Sequence, residues 1–180
     1  MMKTQTSETQ IVESFVSLVR QYCAVIDEAS TLDRAEILAR IYPILPRLID
    51  QAIAMPKIGD SEETEEVEDT QSDDDLPKKS RSTHEERRQV YKLFQEKLGA
   101  WDQYCEIFDP NKDMDPIGGS LADDLADIYF DLKEGLALHE SGESEPSQVI
   151  WEWRFSFDIH WGEHATSALR ALYFRFRESC

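Results

Sequence analysis

Ile11, Phe15, Leu18, Tyr22 and Val25 are spaced alternately four and three residues apart, which lays them along one stripe of an α-helix beginning near Glu8. Ser30 and Thr31 break the pattern. Thr31 stands where a cap would open a second helix carrying Ile37, Leu38, Ile41, Leu45, Leu48 and Ala52. Pro43 and Pro46 fall inside that helix, and each lacks an amide donor, so the segment is expected to kink or split before Pro56 ends it. A third helix opens at Thr83-His84-Glu85-Glu86, which has the form of a capping box. It would turn Val90, Phe94, Trp101, Tyr104 and Phe108 inward until Asp109-Pro110 stops it.

The fourth helix begins after Gly118-Gly119, with Ser120 as its cap and Asp123 supporting the first turn. Leu121, Leu125, Ile128 and Leu132 share its oily face, while Asp123, Asp127, Asp131 and Glu134 fall opposite, with Asp124 and Asp131 nearest the apolar boundary. It frays around Ser141-Gly142. Pro146 suits the first turn of a fifth helix running to about Arg177, with Ile150, Trp153, Phe157, Trp161, Leu169, Leu172 and Phe176 on its buried stripe. Gly162 interrupts that helix and allows a bend or the close approach of a neighbour. No segment sustains a period of two, so no strand is predicted, and the aromatic run from Ile150 to Ile159 is taken as helix. The pattern specifies an all-α protein, an antiparallel bundle of about five helices forming a single domain over residues 1–180.

One interval departs from this pattern. Between Asp60 and Asp75 stand ten carboxylates, with Val67 the only large apolar residue. A segment of that composition cannot bury enough surface to offset the entropy of ordering, so 57–81 is expected to be an acidic, disordered linker or loop. Lys78, Lys79 and Arg81 close it. It is either a solvated connection or an attraction for a basic partner. The whole chain carries a formal net charge of -18, which repels phosphate backbones and anionic membranes, so neither nucleic acid nor a membrane is an expected partner. The polar start lacks a signal core, and no apolar run approaches the roughly 18 residues of a membrane span, so a cytoplasmic setting is expected. Cys23, Cys105 and Cys180 are odd in number and widely spaced, which argues against a disulfide framework or a structural zinc site. Cys23 and Cys105 are expected to act as small hydrophobes on helices.

The candidate chemistry is concentrated in Asp158-Ile159-His160-Trp161-Gly162-Glu163-His164. His160 and His164 are four residues apart, so on a helix both rings point the same way, as when one helix gives two imidazoles to a metal. His164 falls within the oily stripe, and His160 lies at its edge near Glu163. Across the bundle, Asp124, Asp127 and Asp131 are the carboxylates able to meet them. In one reading His164 and an aspartate form a buried polar clamp that fixes the register of the fourth and fifth helices. In the other, His160, His164 and one or two of Asp124, Asp127 and Asp131, with Asp124 and Asp131 put first, hold a divalent metal with a water left for hydrolysis. Direct nitrogen–oxygen contacts near 2.8 Å would favour the clamp.

Other catalytic patterns are absent. Ser120 lacks a nucleophile elbow, Gly118-Gly119 lacks a phosphate-loop lysine, and the segment from Asp109 to Asp115 lacks the glycine and terminal glutamate of a calcium loop. The run Asp115-Pro116-Ile117-Gly118-Gly119-Ser120-Leu121-Ala122-Asp123-Asp124-Leu125-Ala126-Asp127-Ile128-Tyr129, then Asp131-Leu132-Lys133 and Trp151 to Tyr173, resembles the bacterial family called domain of unknown function 5063. The resemblance is strongest from Tyr91 onward. It implies a small, largely helical bacterial protein and no particular activity. The expectation is therefore a non-enzymatic protein-interaction module whose partner is another protein with a basic surface, against the alternative of a metal-dependent hydrolase or metal-binding protein.

Overall fold

The computed structural model describes residues 2–56, 84–107, 111–112 and 115–178. The acidic interval 57–81, Thr83, Phe108 and Cys180 lie outside them. The described elements are α1 (Met2–Glu28), α2 (Arg34–Ile41), α3 (Leu45–Ala54), α4 (His84–Leu98), β1 (Gln103–Glu106), β2 (Ile117–Ser120), α5 (Leu121–Ser141), α6 (Pro146–Ser156), a π-helical turn (Phe157–Trp161) and α7 (Gly162–Glu178). The fold is all-α apart from one short hairpin.

α1 starts earlier than Glu8 because the polar sequence before that residue leaves no apolar periodicity to read. The cap of α2 is Asp33, not Thr31. Asp33 Oδ1 accepts from the Glu36 amide at 2.9 Å and Glu36 Oε2 accepts from the Asp33 amide at 3.0 Å, a complete capping box. The Thr31 hydroxyl instead donates to the carbonyl of Glu28 at 2.8 Å, closing the end of α1. The prolines do split the second segment, and Pro46 lies in the first turn of α3.

The third expected helix ends early. Gly99 takes a φ of 54°, and after a 3₁₀ turn the chain straightens into β1, so Trp101 and Tyr104 leave the helix. β1 pairs antiparallel with β2, placing Tyr104 opposite Gly119 and Cys105 opposite Gly118. This hairpin corrects the expectation of no strand. Cys105 is accordingly an exposed strand residue rather than a helical hydrophobe, while Cys23 is buried as expected.

α5 runs through the middle of the molecule and packs against α1, α4, α6 and α7. Its core partners include Phe15, Trp153 and Trp161, with the Phe15 and Trp153 rings edge to face at 4.9 Å. A methyl group at Gly135 would stand 2.1 Å from Trp153 Nε1, so the bare backbone of α5 is what admits the indole. Trp153 Nε1 donates to the carbonyl of Leu132 at 3.3 Å, satisfying its polar atom in the core.

The fifth expected helix is continuous but changes winding. Trp153, Phe157, Trp161 and Ala165 are spaced four, four and four apart. In a regular α-helix each such step drifts by about 40°, so the three together would carry the stripe about 120° off the core. The π-turn absorbs that drift, and Trp153, Trp161, Ala165 and Ala168 are all fully buried. Gly162 serves this turn rather than a neighbouring helix. Its amide donates to the carbonyl of Phe157, and a side chain there would lie 2.4 Å from that oxygen.

Gly135→Ala is expected to lower stability by about 1–3 kcal/mol through overpacking against Trp153. Urea unfolding followed by tryptophan fluorescence measures it; a midpoint unchanged from the parent would contradict the tight fit.

Candidate functional site

The site is assembled from the start of α5 outward. Asp102 is 2 % exposed, and its Oδ1 accepts from the Ser120 hydroxyl at 2.8 Å and from the Ala122 amide at 2.9 Å. Ser120 in turn accepts from the Asp123 amide at 3.3 Å, the cap expected of it. Amides at the start of α5 are thus occupied from the hairpin side. The hairpin and the first turn of α5 are fixed together, and Asp124, Asp127 and Asp131 follow at three- and four-residue steps toward α7.

Opposite them stand the two imidazoles, one in the π-turn and one in the first turn of α7. His160 Nδ1 lies 2.7 Å from Asp131 Oδ2, and His164 Nδ1 lies 2.9 Å from Asp124 Oδ1. An ionised carboxylate offers only lone pairs, so each contact places a proton on Nδ1 and turns Nε2 away from its aspartate. His164 Nε2 is 3.6 Å from Asp127 Oδ2, and the two rings meet edge to face at 4.8 Å. One donor atom from each of Asp127, His160 and His164 lies within 4.8 Å of the other two. Asp127, rather than Asp124 or Asp131, is therefore the carboxylate that gathers with both histidines. Its other oxygen accepts from Arg87 at 3.3 Å, and Arg87 also approaches Glu134 at 3.6 Å.

Five of the six residues singled out in the sequence come together: Asp124, Asp127, Asp131, His160 and His164. Glu163 is exposed and makes no side-chain contact in the cluster. Asp158 pairs along its own helix with Arg154 at 3.0 Å. Tyr104 is the member that sequence reasoning missed. Its hydroxyl donates to Asp124 Oδ2 at 2.6 Å, so Asp124 is held on one oxygen by Tyr104 and on the other by His164. Gly119 makes room for it, since a methyl there would stand 2.4 Å from the Tyr104 ring. The pairing of a glycine with an aromatic across a hairpin was the available signal, hidden because Trp101, Tyr104 and Phe108 also fit a helical spacing.

Burial pushes Asp124 above the usual carboxylate range, and the hydrogen bonds from His164 and Tyr104 offset only part of that. For His164, burial works downward, but the hydrogen bond and charge of Asp124, with Asp127 and Asp123 behind them, outweigh it and hold the imidazole above its ordinary value. Tyr104 is raised, by burial first and by Asp124 second. The native pair thus holds its protons more tightly than the unfolded chain does.

The sign for stability follows from linkage. The contribution of His164 is fully present below its unfolded value of about 6.5 and is lost as pH rises through its higher folded value; Asp124, also raised, acts in the same direction at lower pH. Metal-free protein is expected to lose stability relative to His164→Gln as pH is raised from about 6 upward. Parallel denaturant midpoints for the two proteins across that range would contradict the pairing.

Among the described residues, no helix is long and apolar enough to cross a membrane. Comparison with curated proteins finds no match. Among solved structures, the chain is similar in fold to the crystal structure of protein BF1032 from Bacteroides fragilis, with a TM-score of 0.67 and 22% identity over 88% of this chain and 87% of that one. At that identity the likeness concerns the fold alone. The family model described as "Domain of unknown function (DUF5063)" matches residues 6–176, nearly the whole chain, and the protein therefore belongs to that family.

Proposed function

We propose that this protein binds a divalent transition-metal ion between α5 and the π-turn, with His160, His164 and Asp127 as ligands. The observation that carries this reading is the use of both histidine Nδ1 atoms, at 2.7 and 2.9 Å, by the carboxylates of Asp131 and Asp124. Metal-ligating histidines characteristically give their second ring nitrogen to a carboxylate, which fixes the tautomer and raises the basicity of the coordinating nitrogen. The sequence offered Asp124, Asp127 and Asp131 alike as ligands, with Asp124 and Asp131 put first; in this reading those two orient the histidines, and Asp127 supplies the coordinating oxygen. A clamp and a ligand set do not compete here, because an imidazole has two nitrogens.

Two nitrogens and a carboxylate suit zinc, iron or manganese better than calcium. Ligands about 2.1 Å from a shared ion stand no more than about 4.2 Å apart, so any pair near the 4.8 Å limit closes slightly on loading. With His160 43% exposed, the cluster opens toward solvent on one side. Three protein ligands leave positions for water, and a bound metal would supply the acidity that makes that water a nucleophile. Arg87 holds the other oxygen of Asp127 and steadies it.

Chelator-treated protein titrated calorimetrically with Zn²⁺ and with Mn²⁺ is expected to take up one ion per chain. His160→Ala, His164→Ala and Asp127→Ala should each abolish tight uptake, and Asp124→Asn or Asp131→Asn should weaken it about 10–100-fold. Wild-type protein taking up no more metal than the triple alanine variant would remove this reading.

A second reading, a non-enzymatic module that engages another protein, is supported by a different face. Trp151 and Phe155 stack at 4.8 Å with rings 8° apart, and Ile159 continues the same line outward with 63% exposure. Large apolar side chains grouped on the surface mark contact sites, and the net charge of -18 would favour a partner with a basic rim. A photo-crosslinking residue at Ile159 is expected to capture a discrete protein adduct that one at the exposed Lys92 does not. Equal patterns from both positions would remove it.

A further inference from the structure

We infer that the cavity between the hairpin and α7 binds the oxyanion head, phosphate or carboxylate, of a small molecule with an aromatic or similarly apolar body. This does not rest on the metal reading. The cavity is lined by Tyr104, Cys105, Ser167, Arg170, Phe174 and Arg175 and has a volume of about 250 Å³. That is space for roughly eight waters at about 30 Å³ each, enough for a small organic anion.

The chemistry of the wall selects the charge. In a chain with 37 acidic and 19 basic residues, two guanidinium groups face one cavity. Among the described residues Arg170 makes no hydrogen bond or ion pair, so its fork of donors is available to a bidentate oxyanion. Arg175 is steadied by donating to the carbonyl of Gln103 at 2.7 Å, which fixes it against the hairpin. Glu106 also meets two of the lining residues, and it is engaged: Ser167 donates to it at 2.6 Å and Tyr104 approaches it at 3.4 Å. Phe174, 45% exposed, and Ala171 supply the apolar side on which a flat body can lie.

Cys105 reports on occupancy because it is exposed and lines the cavity, whereas Cys23 is buried. In a Cys180→Ser background, the alkylation rate of Cys105 is measured with phenyl phosphate, inorganic phosphate or benzoate at matched ionic strength. Phenyl phosphate or benzoate is expected to slow alkylation at saturation by about fivefold or more, and whichever protects at lower concentration identifies the head group. Arg170→Ala should raise the concentration needed by about tenfold or more, while the remote Arg20→Ala leaves it unchanged. No protection by any of the three probes, or protection unchanged in Arg170→Ala, would overturn the proposal. Inorganic phosphate protecting as well as phenyl phosphate would overturn the part given to Phe174.

Discussion

The distance between α5 and the helix that follows it is set by an indole lying on a glycine. Trp153 occupies the space where a side chain at Gly135 would project, and its ring nitrogen is satisfied by the backbone of the same helix it packs against. Hydrophobic burial alone would accept many spacings and rotations of two oily helices. A large, rigid ring in a notch of fixed depth accepts few. The pairs His160–Asp131 and His164–Asp124 need separations of 2.7 and 2.9 Å between side chains on those two rods, so their geometry depends on this apolar fit.

Close approach then determines what the polar groups experience. Asp124 is 5 % exposed, and a carboxylate at that depth is costly unless its oxygens are filled. Tyr104 and His164 fill them from opposite sides, one from the hairpin and one from α7. The hairpin therefore belongs to the site even though it contributes little to the core. Asp102 fastens it to α5 by a separate set of bonds, which lets Tyr104 reach Asp124 from a stable base.

Most of the helical frame and the membership of the cluster could be read from the chain, because apolar periodicity and a four-residue histidine spacing survive in any context. Pro43 and Pro46 announced a break, and Ser120 announced a cap, for reasons local to each residue. The hairpin was hidden because each of its strands has only four residues, too few to display an alternation, and one consists of Ile117, two glycines and Ser120. Thr31 has the look of the cap that Asp33 provides because both residue types cap well and stand two residues apart, and only the reciprocal bond with Glu36 separates them. Which aspartate faces both rings was not legible, since Asp124, Asp127 and Asp131 differ by less than the rotation that the π-turn introduces.

That π-turn has a consequence for how the C-terminal rod tolerates change. The wide turn takes up one residue more than an α-helical turn needs while the portions before and after it keep facing one shared interior. Losing a single residue anywhere from Phe157 to Trp161 would restore uniform winding and leave the distal portion in phase, since the eleven steps then separating Trp153 from Ala165, at about 100° each, come within about 20° of three turns. Ala165, Ala168 and Leu172 would stay on the buried side, and the change would fall on His160, which sits within the turn. Length in this short interval thus serves the pairing of His160 with Asp131 more than it serves the core.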